Sequence, residues 1–294
     1  MNDAVAELIE LADGRTLEVV RLGSSDSPAL VFHHGTPGAW STALLLADVA
    51  EEAGMTVYAY SRAGYGRSSA HVGRSVASVV EDVKALRGHY GVEDYVSVGW
   101  SGGGPHALAC AALDPRCLGA ISLAGVAPYS ADFDWTAGMG PENIEEFAAA
   151  REGGEEFEAA LNEAGESLCD ISANGVVVAL GGLVGAPDVS ILNEPHVSEA
   201  LARSFRDAFV VSARGMIDDD YAFVADWGFA PHEITRSVEV WFGDEDLMVP
   251  SSHGHWLGAT IPGAVLRHFP DDGHISLVTS HREELVRALT TFVS

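Results

Sequence analysis

YVSVGWSGGGP, residues 95–105, runs from strand-forming side chains through a serine set between glycines and straight into the helix-compatible segment His106–Leu113. Tyr95-Val96-Ser97-Val98 has the aromatic and β-branched content of a strand, while the residues after Pro105 are small and unbroken by further glycine. Gly99 and Gly103 stand two residues to either side of Ser101, where a strained turn needs neighbours without side chains. Such a turn pushes the serine hydroxyl into a cleft. The first amides of the helix behind it offer donors and a positive dipole end to an oxyanion formed there. Ser101 is therefore the candidate nucleophile.

Working outward, Leu8–Leu11 and Thr16–Arg21 are strand-like runs around Asp13-Gly14, a strong hairpin signal. Ala29–His33 is a continuous apolar strand of the kind buried on both faces of a parallel sheet. It leads into His34-Gly35-Thr36-Pro37-Gly38 and a helix from Trp40 to Ala53. Thr56–Ser61 predicts the next strand, and Val76, Val79, Val80 and Val83 share one stripe of a helix over 76–86. Leu118–Ala124 is a further strand. This alternation implies the α/β class: a mostly parallel, doubly wound sheet with right-handed crossovers.

From about Pro128 the strands stop. Ile144–Leu168, acidic and alanine-rich with glycine breaks at Gly153-Gly154 and Gly165, favours helix, as do Val197–Arg214 and Tyr221–Trp227. The strand pattern resumes with Val238–Phe242 and Val265–Phe269, and His253–Thr260 and His281–Phe292 read as helices. The expected organisation is a core domain of residues 1–127 and 232–294 interrupted by a helical cap, residues 128–231, laid over the cleft.

Composition narrows the function. A chain of 294 residues, 47% hydrophobic and 20% charged, buries a core. Its formal net charge of -27, with Lys84 the only lysine, argues against nucleic acid and anionic membranes as partners. No apolar run is long enough to span a bilayer, since Val176–Val184 is short and broken by Gly181-Gly182. The opening stretch MNDAVAELIE lacks the basic and apolar regions of a secretion signal, so the expected location is cytoplasmic. Cys110, Cys117 and Cys169 have no metal-like spacing and read as buried small hydrophobes. There is no G-x-x-x-x-G-K-[ST] loop, and Gly64-Tyr65-Gly66 lacks the third glycine of a dinucleotide fingerprint. Neither a metal nor an organic cofactor is expected.

Acyl transfer by a serine needs a base, an acid that fixes the base's tautomer, and amides for the oxyanion. In an open parallel sheet these meet beyond the carboxyl ends of strands. That rule selects Asp246, in the loop after strand 238–242, and His274, in the loop after strand 265–269. The motifs Gly99-Trp100-Ser101-Gly102-Gly103, Gly243-Asp244-Glu245-Asp246, Gly273-His274 and His34-Gly35-Thr36-Pro37-Gly38 together resemble the α/β-hydrolase superfamily with a cap domain. The resemblance runs from about residue 8 to the carboxyl terminus, the cap excepted. It implies Ser101 as nucleophile, His274 as general base and then acid, Asp246 as its orienter, and the Thr36 and Gly102 amides as the oxyanion hole. The implied activity is a serine hydrolase acting on a small-molecule carboxylic ester or related acyl bond. Oligomeric state stays open between a monomer and a dimer formed through the cap.

Rival readings accompany each assignment. Asp244 and Glu245 compete with Asp246, although Asp244 directly after Gly243 has the place of a turn former. His33 and His34 read as braces of the oxyanion loop. His253 and His255 have metal-like spacing without a recognisable third ligand, and Arg236 stands where a zinc helix beginning at His232-Glu233 would need its second histidine. Asp132 and Asp134 start like a calcium loop, but Asn143 replaces its final carboxylate. Of the aromatics Phe133, Trp135, Phe147, Phe157, Phe205, Phe209 and Trp227, one or two are expected in the pocket. The acidic run Glu142–Glu158 reads as a solvated face or, more sharply, a site for a substrate amine. Similarity to the proline iminopeptidases, in the His-Gly-x-Pro-Gly loop and the acidic cap, gives an aminopeptidase as the alternative. Those enzymes tend to carry glycine where Thr36 sits and tryptophan where Gly102 sits. Epoxide hydrolases and haloalkane dehalogenases share the architecture but require a carboxylate nucleophile, whereas perhydrolysis is compatible with the triad. A non-catalytic small-molecule binding protein on the same fold is the reading outside enzymology.

Overall fold

The computed structural model describes residues 4–293, so the first three residues of the acidic opening stretch lie outside the described residues. Among the described residues eight strands form one sheet: β1 (Glu7–Glu10), β2 (Thr16–Leu22), β3 (Ala29–His33), β4 (Thr56–Ser61), β5 (Tyr95–Trp100), β6 (Cys117–Leu123), β7 (Ser237–Gly243) and β8 (Val265–Phe269). Their order is β1-β2-β4-β3-β5-β6-β7-β8, with β2 antiparallel to both neighbours and every pairing from β4 to β8 parallel. The β1–β2 hairpin closes through Gly14, whose φ of 85° is the left-handed value such a turn requires.

The helices are α1 (Ala47–Glu52), α2 (Val79–Tyr90), α3 (Gly103–Leu113), α4 (Pro141–Glu152), α5 (Glu155–Leu168), α6 (Ala173–Leu180), α7 (Ala186–Leu192), α8 (Pro195–Ala208), α9 (Arg214–Val224), α10 (Ser251–Thr260), α11 (Ser276–Ser280) and α12 (Arg282–Phe292). Alternating strand residues feed two cores, one on each face of the sheet. Leu30, Phe32, Val57, Ala59, Val96 and Val98 pack with Val49 of α1 and Leu285 of α12. Val31, Tyr58, Tyr60 and Tyr95 pack with Val83 of α2, Leu108 of α3 and Leu257 of α10. Helices α4 to α9 all lie between β6 and β7. No described helix is long and apolar enough to cross a membrane.

The order places β3 between β4 and β5, so consecutive crossovers leave β3 in opposite directions and a crevice opens beyond its carboxyl end. Both the His34–Gly38 loop and the serine turn end at that crevice.

Several local expectations need correction. Residues 40–53 are a 3₁₀ turn (Trp40–Leu45) followed by α1, not one helix. Gly165 does not break α5: a Cβ there would approach Phe209 to 2.9 Å, so the glycine admits an aromatic ring from a neighbouring segment. Helices α6, α7 and α11 were not anticipated. Cys110 and Cys117 are buried, but Cys169 is exposed at the end of α5, its thiol donating to the Glu166 carbonyl.

Candidate active site

Ser101 follows β5 directly and has φ 57°, one of two non-glycine residues with positive φ among those described. A side chain held in that region costs on the order of 1–3 kcal/mol, which the surrounding packing must hold in place. It does so by contact with bare backbone. A Cβ at Gly99 would lie 2.0 Å from the Gly103 carbonyl oxygen, and one at Gly103 would lie 2.0 Å from that of His33. The Ser101 amide donates to Leu123 O at 2.8 Å and its carbonyl accepts from Gly104 N at 2.8 Å, fixing the turn to β6 and to α3. The hydroxyl itself makes no hydrogen bond among the described residues.

His274 Nδ1 lies 2.8 Å from Asp246 Oδ2, and both side chains are buried. Asp246 Oδ1 accepts from the amides of Met248 and Val249, each at 2.8 Å, so the carboxylate is rigidly placed and its other oxygen is aimed at the imidazole. An ionised carboxylate only accepts, so Nδ1 carries the proton and the lone pair sits on Nε2. Asp244 and Glu245 are elsewhere: Asp244 bonds His268, and Glu245 is exposed. Burial alone would lower the pKa of His274, but the charge and hydrogen bond of Asp246, with Asp188 nearby, raise it above the ordinary histidine value. Trp100, immediately before the serine, donates through Nε1 to His274 O at 3.2 Å and packs its ring against the imidazole.

The histidine loop is held by a residue the sequence did not single out. Asp188 of α7, completely buried, accepts from three successive amides: His274 N at 2.9 Å, Ile275 N at 2.8 Å and Ser276 N at 2.9 Å. These are the unpaired donors at the start of α11. Gly273 makes the approach possible, because a Cβ there would fall within 2.5 Å of Asp188 Oδ2.

The His34–Gly38 loop is held by a second such residue, Asp219 of α9. Its carboxylate accepts from Thr36 Oγ1 at 2.7 Å, Tyr65 OH at 2.9 Å and Arg62 Nη2 at 2.7 Å, and pairs with Arg74 Nη1 at 2.7 Å. Burial opposes its charge, yet Arg62 and Arg74 hold its pKa well below the usual carboxylate range. Arg62, itself buried, also donates to the carbonyls of His34 and Gly35 and to Thr36 Oγ1. His34 donates through Nδ1 to Gly35 O and accepts at Nε2 from the Arg62 amide, while His33 bonds Tyr60 and Ser97. Both imidazoles are kept neutral, first by burial and then by Arg62. The clamped loop lies against the serine turn: a Cβ at Gly102 would be 2.3 Å from Thr36 Oγ1, and one at Gly35 would be 3.3 Å from Ser101 Cβ. The amides of Thr36 and Gly102 make no hydrogen bond within the described residues.

Ser101, His274, Thr36 and Gly102 line one cavity of about 320 Å³. Its walls are mainly apolar and include Phe147, Phe205, Leu168, Leu180 and Met248. Of the aromatics anticipated there, Phe147 and Phe205 reach the cavity; Phe223, not anticipated, joins them. The polar lining of the cavity includes Thr42, Ser204, Asn143 and Glu142 and, most unusual among them, a pair of carboxyls, Glu146 of α4 and Asp220 of α9. Asp220 is fully buried and no described donor reaches either of its oxygens. Its polar neighbour is the Glu146 carboxyl, and two carboxyls bond only when one is protonated. Burial pushes Glu146 up to about 7, and burial with the Glu146 and Asp219 charges pushes Asp220 upward as well. The signal that sequence reading passed over is Asp218-Asp219-Asp220 itself, three carboxylates in a helix whose flanks, Met216-Ile217 and Ala222-Phe223, are apolar.

A family model described as the alpha/beta hydrolase fold matches residues 28–153. The pimeloyl-acyl-carrier-protein methyl ester esterase of Chromobacterium violaceum is 28% identical over 227 residues, covering 77% of this chain and 79% of that protein. A hydrolase structure from Pseudomonas aeruginosa aligns over 100% of both chains with a TM-score of 0.71 at 21% identity. The enol-lactonase of Burkholderia xenovorans aligns over 98% of this chain and 99% of its own, with a TM-score of 0.69 at 21% identity. The matched model begins just before β3 and takes in the serine turn, and the sheet order continues the same architecture through β8, so the chain has the α/β-hydrolase fold and is a hydrolase.

Proposed function

We propose that the protein is a serine hydrolase that cleaves a carboxylic ester or related acyl bond through an acyl-enzyme. The observation that carries this reading is His274, bonded at 2.8 Å to Asp246, lining the same cavity as a serine strained to φ 57°. Ser101 Oγ attacks the substrate carbonyl carbon as its proton passes to His274 Nε2, with the imidazolium stabilised by Asp246. The tetrahedral oxyanion accepts from the Thr36 and Gly102 amides. His274 then protonates the departing alkoxide, leaving an ester on Ser101. Water, deprotonated by the same nitrogen, attacks that ester and releases the acid. Catalytic hydrogen bonds often tighten only with substrate bound, so a free Ser101 hydroxyl fits this sequence of events. Residues 128–231 act as the cap: they supply most of the apolar wall and both carboxylates that grip the active-site loops. The likeness to a methyl ester esterase supports an ester as the scissile bond.

The test is covalent labelling by a fluorophosphonate. Wild type labels at Ser101 and Ser101→Ala does not; labelling that persists in the folded variant refutes the assignment.

A second reading concerns the acyl group and is favoured by Glu146 and Asp220. Around them two guanidiniums, Arg62 and Arg74, face three carboxyls, Asp219, Asp220 and Glu146, leaving one excess negative charge. A proton balances it in the free enzyme, and a substrate ammonium would balance it in the complex. On this reading α-aminoacyl esters or amides outcompete their desamino analogues. Glu146→Gln would remove the preference; equal turnover of both substrate series by wild type would exclude it.

A further inference from the structure

Away from the cavity lining, three side chains from three elements converge at the edge of the sheet. Asp244 in the loop after β7, His255 on α10 and His268 on β8 each bring a ligand atom within 4.8 Å of the other two, and all three residues are exposed. Asp244 Oδ2 and His268 Nε2 already lie 2.8 Å apart. Both imidazoles rest on the buried ring of Phe242, His268 stacked at 5.0 Å and His255 edge-on at 4.6 Å, and strand register sets His268 directly beside Phe242. His253 takes no part, since its nitrogens are committed to Ala127 N and Trp135 O.

We propose that Asp244, His255 and His268 form a binding site for a divalent transition-metal ion of the zinc type. Two imidazole nitrogens and one carboxylate oxygen suit such an ion better than calcium or magnesium, which favour all-oxygen sets. With metal–ligand bonds of about 2.0–2.2 Å, ligand atoms around a tetrahedral ion are roughly 3.3 Å apart. The Asp244–His268 separation of 2.8 Å is just short of that value and His255 lies within 4.8 Å of both, a difference that rotation of exposed side chains can close. Water completes the coordination. The net charge of -27 draws cations toward the surface. A bound ion ties the loop carrying Asp246, two residues beyond Asp244, to α10 and the edge strand β8.

The test uses the full-length, tag-free protein stripped with chelator and titrated with zinc chloride by calorimetry, alongside thermal unfolding with and without zinc. Wild type should bind one equivalent and unfold at higher temperature with zinc. His255→Ala and His268→Ala should each weaken binding by at least the roughly tenfold that loss of even an outer partner costs. His196→Ala, which removes an exposed histidine from α8, should leave it unchanged. Absence of saturable binding by wild type, or a weakening below about tenfold in the folded double variant His255→Ala/His268→Ala, overturns the proposal.

Discussion

Replacing Asp188 tests whether the histidine loop is placed by a side chain from the helical segment rather than by its own strand. The carboxylate accepts three amides at 2.8 to 2.9 Å from a fully buried position. Bonds to a charged group contribute about 1.5–3 kcal/mol each, so three sum to roughly 4.5–9 kcal/mol. That is an upper bound, because deleting the carboxylate also removes its desolvation penalty; about 3–5 kcal/mol is the expected net loss for Asp188→Ala. Domain stabilities are only about 5–15 kcal/mol, so the informative variant is the gentler Asp188→Asn. Its oxygen keeps the bonds to Ile275 and Ser276, while its amide nitrogen meets the His274 N–H donor to donor. The expected stability loss is about 1.5–3 kcal/mol, read from denaturant midpoints. Repulsion at His274 N displaces the imidazole, and a shift near 1 Å costs about 100-fold in rate. The charge change supplies a second readout. His274 must be neutral to act as base, so its raised pKa sets the acid limb of kcat/KM, and activity is lost as pH falls through it. Without the Asp188 charge that limb moves to lower pH. If Asp188→Asn unfolds more easily yet keeps kcat/KM within about threefold and the same acid limb, Asp188 is scaffolding and the positioning argument fails.

The remaining predictions follow from the same contacts. Asp246→Asn should keep the fold, since its Oδ1 bonds to Met248 and Val249 survive, but its amide faces His274 Nδ1 and imposes the wrong tautomer; kcat on an aryl ester should drop about 10⁴-fold, as the equivalent triad change does in the serine proteases. Asp219→Asn leaves Arg62 and Arg74 buried without a full counter-charge, so urea unfolding should show a loss of about 3–5 kcal/mol. The preference for ammonium-bearing substrates should weaken as pH falls below about 7, where Glu146 takes up a proton; a ratio constant from pH 8 to about 6 would count against that subsite. Gly88→Ala, at an exposed position inside α2 with open space around it, should stabilise by about 0.5–1 kcal/mol in thermal melts.

What the sequence made legible is what local chemistry encodes. β3, β4 and β5 are apolar runs buried at every position, and the serine turn announces itself because Gly99 and Gly103 have no alternative to glycine. The strand-end rule then reached Asp246 and His274, since each lies one loop beyond a recognisable strand. Nothing local distinguishes Asp188 from a solvated turn residue: its partners are 86 to 88 positions away. Asp219 and Arg62 are 157 positions apart, and a buried ion pair leaves no periodic mark on either segment. Gly165 misled for the converse reason, because a glycine that admits a ring from another segment looks in one dimension like a helix break. Asp244, His255 and His268 escaped notice as a group because a strand, a loop and a helix each supply only one of them.

These two long-range carboxylates divide the site in a way the motifs do not. Ser101 is fixed through β5 and β6, and the Asp246 carboxylate by the amides of its own loop after β7, a loop that Gly140 and Asn143 at the start of α4 also bond through Leu247 O and Met248 O. The backbone of His274 and the side chain of Thr36 are held in addition from α7 and α9, by Asp188 and Asp219. A helical segment that merely covered the cleft would be dispensable for chemistry on a small, open ester. One that anchors the His274 loop and the His34–Gly38 loop is not, because its displacement would free the amides of His274, Ile275 and Ser276 and leave two guanidiniums with an incomplete counter-charge. If any of these helices moves to admit substrate, the bonds predict that α7 and α9 stay seated and that the motion falls to elements that grip neither loop, such as α5 and α6.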